Sequence, residues 1–327
     1  MTANSNRSMG RPEPSTTPAD GIVVGVDGSE AGKCALKWAA SEARRRNLPL
    51  NVITAYTIPV FAASSMDAGY ATLDDDVIRE GAEEVLQQAL ADFDASGLEL
   101  RSRVESGDPA GVLLDLSSEA DLMVVGTRGR GGFVGRMLGS VSAALPAHAK
   151  CPTVVVPQCV SEVPADAPQR RDVVVVGVDG SDRARLAVLV AAEVAMARGV
   201  PLRVVCGIPP ISGALAWMPA TVDQEALLAD VRHHLSNGTR WLKSYYPDLE
   251  VETDVVLGPP IEMLVEESEG ARLTVVGTRG RGGFAGMLLG STSQGVLHHA
   301  RGPVMVVPDG EDPRLATRPD FDDESAA

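Results

Sequence analysis

The chain has 327 residues, 44% of them apolar and 22% charged, and 44 acidic against 29 basic side chains give a net charge of -15. This length exceeds what one hydrophobic core ordinarily serves and predicts two domains, and the composition excludes a wholly disordered, collagen-like or coiled-coil protein. The acidic balance argues against general affinity for DNA, RNA or anionic membrane, which needs a positive field to displace counterions. No stretch approaches the roughly 20 apolar residues that span a bilayer, and the N-terminus lacks the apolar segment of a signal peptide, so a cytoplasmic location is expected. Cys34, Cys151, Cys159 and Cys206 show no CxxC spacing, which suits a reducing compartment and a packing role.

In chain order, residues 1–19 are a polar tail expected to be disordered, after which short runs of Val, Ile and Leu alternate with longer helix-like stretches. Strands are predicted at Gly21 to Asp27, Leu50 to Thr57, Leu98 to Glu105, Leu122 to Gly126 and Thr153 to Val156. The helices between them are Ala31 to Asn47, Asp74 to Ser96, Pro109 to Glu119 and Ser140 to His148. A polar, proline-bearing linker over 159–170 leads to a second set of strands at Val173 to Asp179, Leu202 to Gly207, Leu249 to Val256, Leu273 to Gly277 and Val304 to Val307. The acidic stretch 310–327 is expected to be a second disordered tail.

The two sets are copies. IVVGVDGS at Ile22 to Ser29 returns as VVVGVDGS at Val174 to Ser181, and the 17 residues Val124 to Ser140 return at Val275 to Ser291 with 14 identities. The offsets, 152 and 151, are a whole domain apart, so the chain is a tandem duplication with domains at 20–158 and 171–309. Alternating strands and helices predict an α/β fold, with a doubly wound open parallel sheet in each half and ligand sites beyond the carboxyl ends of the strands. Both repeated motifs fall at such ends.

The stretch from Gly126 to Ser140 leaves a strand through Gly129, Gly131, Gly132, Gly135 and Gly139 and enters a helix at Ser140. Glycines let main-chain N–H groups close on an oxyanion, and a helix N-terminus favours negative charge. Arg128 and Arg130, with Arg279 and Arg281 in the second copy, add local positive charge suited to phosphate. A turn or close packing is the bland alternative for one such loop, but two copies at a strand-to-helix junction favour anion binding. Asp27 and Asp179 end the first strand of their halves, where a carboxylate serves ribose hydroxyls or phosphate-bound magnesium, or else a turn or helix cap. His148 and His299, at helix ends, suit carbonyl capping better than catalysis.

These residues resemble the universal stress protein family, as two of its domains in tandem. Its nucleotide signature is G, two residues, G, nine residues, G, then Ser or Thr. Gly126, Gly129, Gly139 and Ser140 satisfy it, as do Gly277, Gly280, Gly290 and Ser291. The resemblance implies a Rossmann-like, nucleotide-binding five-stranded sheet of order 3-2-1-4-5 in each half, and ATP with magnesium or manganese as ligand. It implies that Asp27 meets the ribose side, that Val125 and Gly126 lie near the sugar and first phosphates, and that Arg128, Gly129, Gly139, Ser140 and Val141 surround the phosphates. Asp179, Val276, Gly277, Arg279, Gly280, Gly290, Ser291 and Thr292 take the same places in the second half, with adenine near Ala55 and near Gly207. Asp27 and Asp179 would touch the metal through nucleotide-bound magnesium.

In the family the last strand lies at an open edge, so TVVVP and VMVVP imply a pseudo-dimer within the chain and a homodimer through the same edges. The expected function is an ATP-binding regulator of stress adaptation or growth with little or no turnover. No GxxxxGK[ST] loop, no kinase HRD and DFG set, and no repeated Lys, His or Glu beside the cradle supplies catalytic machinery. The alternatives are a slow magnesium-dependent ATPase and a nucleotide-free scaffold for an unidentified protein partner. The halves differ, since GDPA at Gly107 to Ala110 becomes GPPI at Gly258 to Ile261 and Arg136 becomes Met287. The first site is therefore expected to be the tighter.

Overall fold

A computed structural model of the chain describes residues 19–58, 75–91, 93–129, 138–157, 172–209, 224–280 and 288–317. The first half runs β1 (Ile22–Gly25), α1 (Glu30–Arg46), β2 (Leu50–Tyr56), α2 (Asp75–Ala91), β3 (Leu100–Ser106), α3 (Pro109–Leu116), β4 (Leu122–Gly126), α4 (Ser140–His148) and β5 (Thr153–Val156). The second half repeats the plan with β6 (Val174–Val178), α5 (Asp182–Arg198), β7 (Leu202–Ile208), α6 (Gln224–Tyr245), β8 (Val251–Leu257), α7 (Pro260–Ser268), β9 (Leu273–Gly277), α8 (Ser291–His299) and β10 (Val304–Val307). A 3-10 helix, Pro313–Thr317, follows. Among the described residues no helix is long and apolar enough to cross a membrane.

Within each half the strands pair in parallel in the expected order 3-2-1-4-5, and the two sets join into one ten-stranded sheet, β3-β2-β1-β4-β5-β10-β9-β6-β7-β8. The join is antiparallel, with Val155 opposite Val304, Val154 opposite Met305 and Thr153 opposite Val306. The join realises the expected pseudo-dimer within the chain and occupies the last-strand edges through which a homodimer was also expected. β5 and β10 satisfy each other's backbone within the chain, and the strands at the ends of the sheet are β3 and β8. The two halves therefore run in opposite directions, and the carboxyl ends of their strands face opposite rims of the sheet.

Alternation along each strand feeds two helical layers. Ile22 and Val24 point to the layer that holds Ala35, Leu36 and Ala39 of α1 and Leu86 of α2. Val23 points to the other, with Leu113 of α3 and Leu145 of α4. The second half divides the same way, with Leu189 of α5 and Leu242 of α6 on the first face and Leu264 of α7 and Val296 of α8 on the second. The middle strands are buried on both sides, which is why they read as unbroken apolar runs.

The expected tails end differently. Ala19, assigned to the N-terminal tail, is buried and donates its N–H to Glu119 at 3.2 Å. Residues 310–317, assigned to the acidic tail, pack onto the second half: Arg314 pairs with Asp312 at 2.5 Å and Glu193 at 2.8 Å and donates to the Tyr246 hydroxyl, and Leu315 rests on the core. Acidic composition predicted solvation, but Arg314, Leu315 and Thr317, whose hydroxyl meets the Tyr245 hydroxyl at 2.5 Å, fasten the segment. α3 stops three residues before the predicted Glu119, because the Ser117 and Ser118 hydroxyls bond the carbonyls of Leu114 and Asp115 at 2.6 and 2.8 Å. The packing role holds for Cys151, whose thiol burial pushes up to about 12, but Cys34 on α1 is disulfide-bonded. Cys159 lies outside the described residues.

Candidate functional site

At the rim of the first half, β1 delivers Asp27 and β4 delivers Gly126. Asp27 Oδ1 accepts the Ser29 N–H at 3.0 Å and the Ser29 hydroxyl at 2.6 Å. The same hydroxyl lies 3.1 Å from the Arg128 carbonyl and accepts the Gly32 N–H at 3.1 Å as the N-cap of α1. The turn reading of Asp27 is thus realised. Its other oxygen lies so close to Gly129 that a β-carbon there would sit 2.3 Å away, so the carboxylate and the glycine loop share one site.

The loop closes where it began. Gly139 N–H donates to the Thr127 carbonyl at 2.9 Å, and the Ser142 hydroxyl donates to the same oxygen at 2.7 Å. α4 then starts from Gly139 with no side-chain cap, leaving the first-turn N–H groups of Ser140 and Val141 directed at the rim. Gly126 meets the start of α1, where a β-carbon would fall 2.6 Å from the Ala31 carbonyl carbon.

The result is a cavity of about 550 Å³. It brings together the first-half residues that the resemblance sets around a nucleotide: Asp27, Ala55, Val125, Gly126, Arg128, Gly129, Gly139, Ser140 and Val141. Arg130, Gly131, Gly132, Gly135 and Arg136 lie outside the described residues. The side formed by β1, β2 and α3 is apolar, and sequence reasoning missed most of it: Val26, Ile53, Pro109 and Leu113. Ile53 was legible in principle, being two residues before Ala55 and hence on the same face of β2. The side formed by the β4–α4 turn is polar, with Arg128, Ser140 and main-chain groups. Asp27 and Arg128 are the charged side chains among the described lining residues. No group of three or more His, Cys, Asp or Glu among the described residues is placed to hold a metal, so a cation at Asp27 would need oxygens from a bound ligand.

The second half repeats the frame with changed fittings. Asp179 Oδ1 accepts the Ser181 N–H at 3.0 Å, and a β-carbon on Gly280 would lie 2.1 Å from Asp179 Oδ2. Gly290 N–H donates to the Thr278 carbonyl at 2.6 Å, and α8 starts without a side-chain cap, presenting Ser291 and Thr292. Val276 and Gly277 close β9. Gly207, expected beside adenine, abuts Pro260, whose Cα would be 3.0 Å from an added β-carbon. Arg281 and Met287 lie outside the described residues. Asp309 was not anticipated: it accepts from Arg183 at 2.7 Å, Thr278 at 3.0 Å and Arg279 at 3.1 Å. Burial works to raise its pKa, but the bonds from Arg183, Thr278 and Arg279 outweigh that and hold it below the usual carboxylate range.

Comparison with known proteins places this geometry. The model of the universal stress protein family matches residues 19–157 and again 170–308. Universal stress protein Rv2005c of Mycobacterium tuberculosis is 35% identical over 292 residues, covering 88% of this chain and 96% of its own. Universal stress protein Rv2623 of the same organism is 35% identical over 297 residues, covering 88% and 95%. A universal stress protein from Archaeoglobus fulgidus shares the fold with a TM-score of 0.62 at 22% identity, covering 90% of this chain and 98% of that one.

Proposed function

Because the chain belongs to the universal stress protein family, as a tandem of two of its domains, we propose that it binds ATP and acts as a nucleotide-dependent regulator of stress adaptation or growth with little or no turnover. One observation carries the reading: a single 550 Å³ cavity with an apolar side and a glycine-lined polar side, at the carboxyl ends of parallel strands. This size is within the range of small-molecule sites, and its two-sided lining suits a planar base joined to a polyanion. Ile53, Ala55, Pro109 and Leu113 would cover the base. Arg128 and the N–H groups at Ser140 and Val141 would take the phosphates, with Gly139 closing the loop beside them. Asp27 would accept ribose hydroxyls or share a magnesium or manganese ion with the phosphates. The fit of Gly126 and Gly129 against Ala31 and Asp27 supports a cradle that tolerates no side chain.

The lining supports low turnover. Asp27 is its one described carboxylate, and its Oδ1 is committed to Ser29. The remainder of the loop, RGGFVGRM at 130–137, contains no Asp, Glu, His or Lys. Binding to the folded state alone supplies about 2.7 kcal/mol at a hundredfold excess over Kd, which is enough to shift a conformation or an assembly. The test is to denature freshly purified protein and identify released nucleotide by chromatography and mass spectrometry. Intact ATP released in stoichiometric amount is the expected result. No nucleotide, together with no binding of added ATP and magnesium, would overturn the reading, and ADP with sustained turnover lost in Asp27→Ala would make it an ATPase.

A further inference from the structure

Among the described residues the two cradles differ at a position the repeated motifs do not include. Two residues past β10 stands Asp309, where the first half has Gln158, and at the start of α5 stands Arg183, where the first half has Ala31. The exchanged residues are partners, with Arg183 Nε 2.7 Å from Asp309 Oδ1. Asp309 Oδ2 also accepts from Arg279 at 3.1 Å, and Arg279 is the counterpart of Arg128, which lines the first cavity. The Thr278 hydroxyl, at the mouth of the glycine loop, donates to the same carboxylate at 3.0 Å. A carboxylate so placed holds the cations that a phosphate would use and sets like charge beside it. It is also kept in position, because the chain just beyond it is fastened by Asp312, Arg314 and Leu315.

We propose that Asp309 is an internal anion of the second cradle, competing with phosphate for Arg279 and Arg183 and making this the weaker of two nucleotide sites in the chain. The inference rests on the nucleotide reading above and adds the residue that sets the difference between the sites. Asp309→Gln, which installs the first-half residue, releases both arginines and removes the repulsion.

The experiment is calorimetric titration of ATP with magnesium into the nucleotide-stripped full chain, wild type and D309Q, with D309N as a second variant and thermal midpoints as the folding check. Wild type is expected to show two Kd values differing at least about tenfold, and D309Q to tighten the weaker about tenfold while leaving the stronger unchanged. Adding Arg279→Ala to D309Q should abolish the gain, which assigns it to the second cradle. Two equal sites in wild type, or a weaker Kd that D309Q and D309N leave within about twofold or worsen, would overturn the inference while the nucleotide reading stands. No ATP at either site in any of these proteins would overturn both.

Discussion

Gly126 and Gly277 hold the same place in the repeated motif, yet the space around them differs. A β-carbon on Gly126 would lie 2.6 Å from the Ala31 carbonyl carbon and 2.7 Å from its oxygen, backbone atoms that cannot swing away. On Gly277 the nearest atom would be the Arg183 oxygen at 3.4 Å, an ordinary contact. Gly126→Ala should therefore cost about 1–3 kcal/mol by overpacking, while Gly277→Ala costs well under 1 kcal/mol, measured as shifts in denaturant unfolding. Equal losses would show that the first cradle relaxes as readily as the second. The glycines themselves were legible, because their spacing repeats. What each makes room for was not, since Ala31 and Asp27 reach Gly126 and Gly129 only when β1 and β4 pair. Asp309 escaped notice for a related reason: its meaning depends on Arg183, far away in sequence, and both lie outside the repeated segments.

At the scale of elements, α1 and α4 start in opposite ways and that contrast shapes the cradle. α1 is capped by Ser29, whose hydroxyl also touches Asp27 and the Arg128 carbonyl, so one side chain ties the end of β1, the start of α1 and the mouth of the loop. α4 starts from Gly139 without a side-chain cap, and its N-terminal dipole is left to favour an anion. Ser29→Ala should lose about 1 kcal/mol of stability as a missing cap. On the proposed nucleotide reading it should also weaken ATP binding several-fold, because Asp27 loses the 2.6 Å bond that orients it. Unfolding and calorimetry on the same sample separate the two effects, and a stability loss with unchanged affinity would assign Ser29 to capping alone. Hydrophobic runs and the repeat marked out all ten strands, because buried parallel strands leave a clear apolar signature, while their order in the sheet was implied by the family resemblance. The docked 3-10 helix had no such signature: Arg314 and Leu315 are isolated residues in a polar segment, and the Arg314 partners are Glu193 on α5 and Tyr246 just past α6.

The whole molecule is held at its centre by two unlike contacts. The β5–β10 pairing supplies backbone bonds between the halves, and on the α1–α5 face Glu42 supplies charge. Glu42 is fully buried and accepts from Arg45 at 2.7 Å, Arg46 at 2.7 Å and, across the join, Arg198 at 2.8 Å. Arg198 in turn lies over the Trp38 ring, 5.4 Å from its centroid. Burial by itself would raise the Glu42 pKa, but Arg198, Arg46 and Arg45 together outweigh it and hold the carboxyl below its ordinary 4.5. A folded pKa below the unfolded one means that Glu42 adds stability above about pH 4.5, and that this is lost as the pH falls through the folded value. Glu42→Gln keeps the shape and removes the charge, leaving Arg198 buried against its like-charged neighbours. The expected loss is about 3–5 kcal/mol at neutral pH, with a flatter decline of stability than wild type shows as the pH falls below about 4.5. Replacing both partners, as in Glu42→Gln with Arg198→Met, should recover part of that loss, because no uncompensated charge remains inside. A single variant as stable as wild type, with the same acid limb, would leave the strand pairing and apolar packing as what joins the halves.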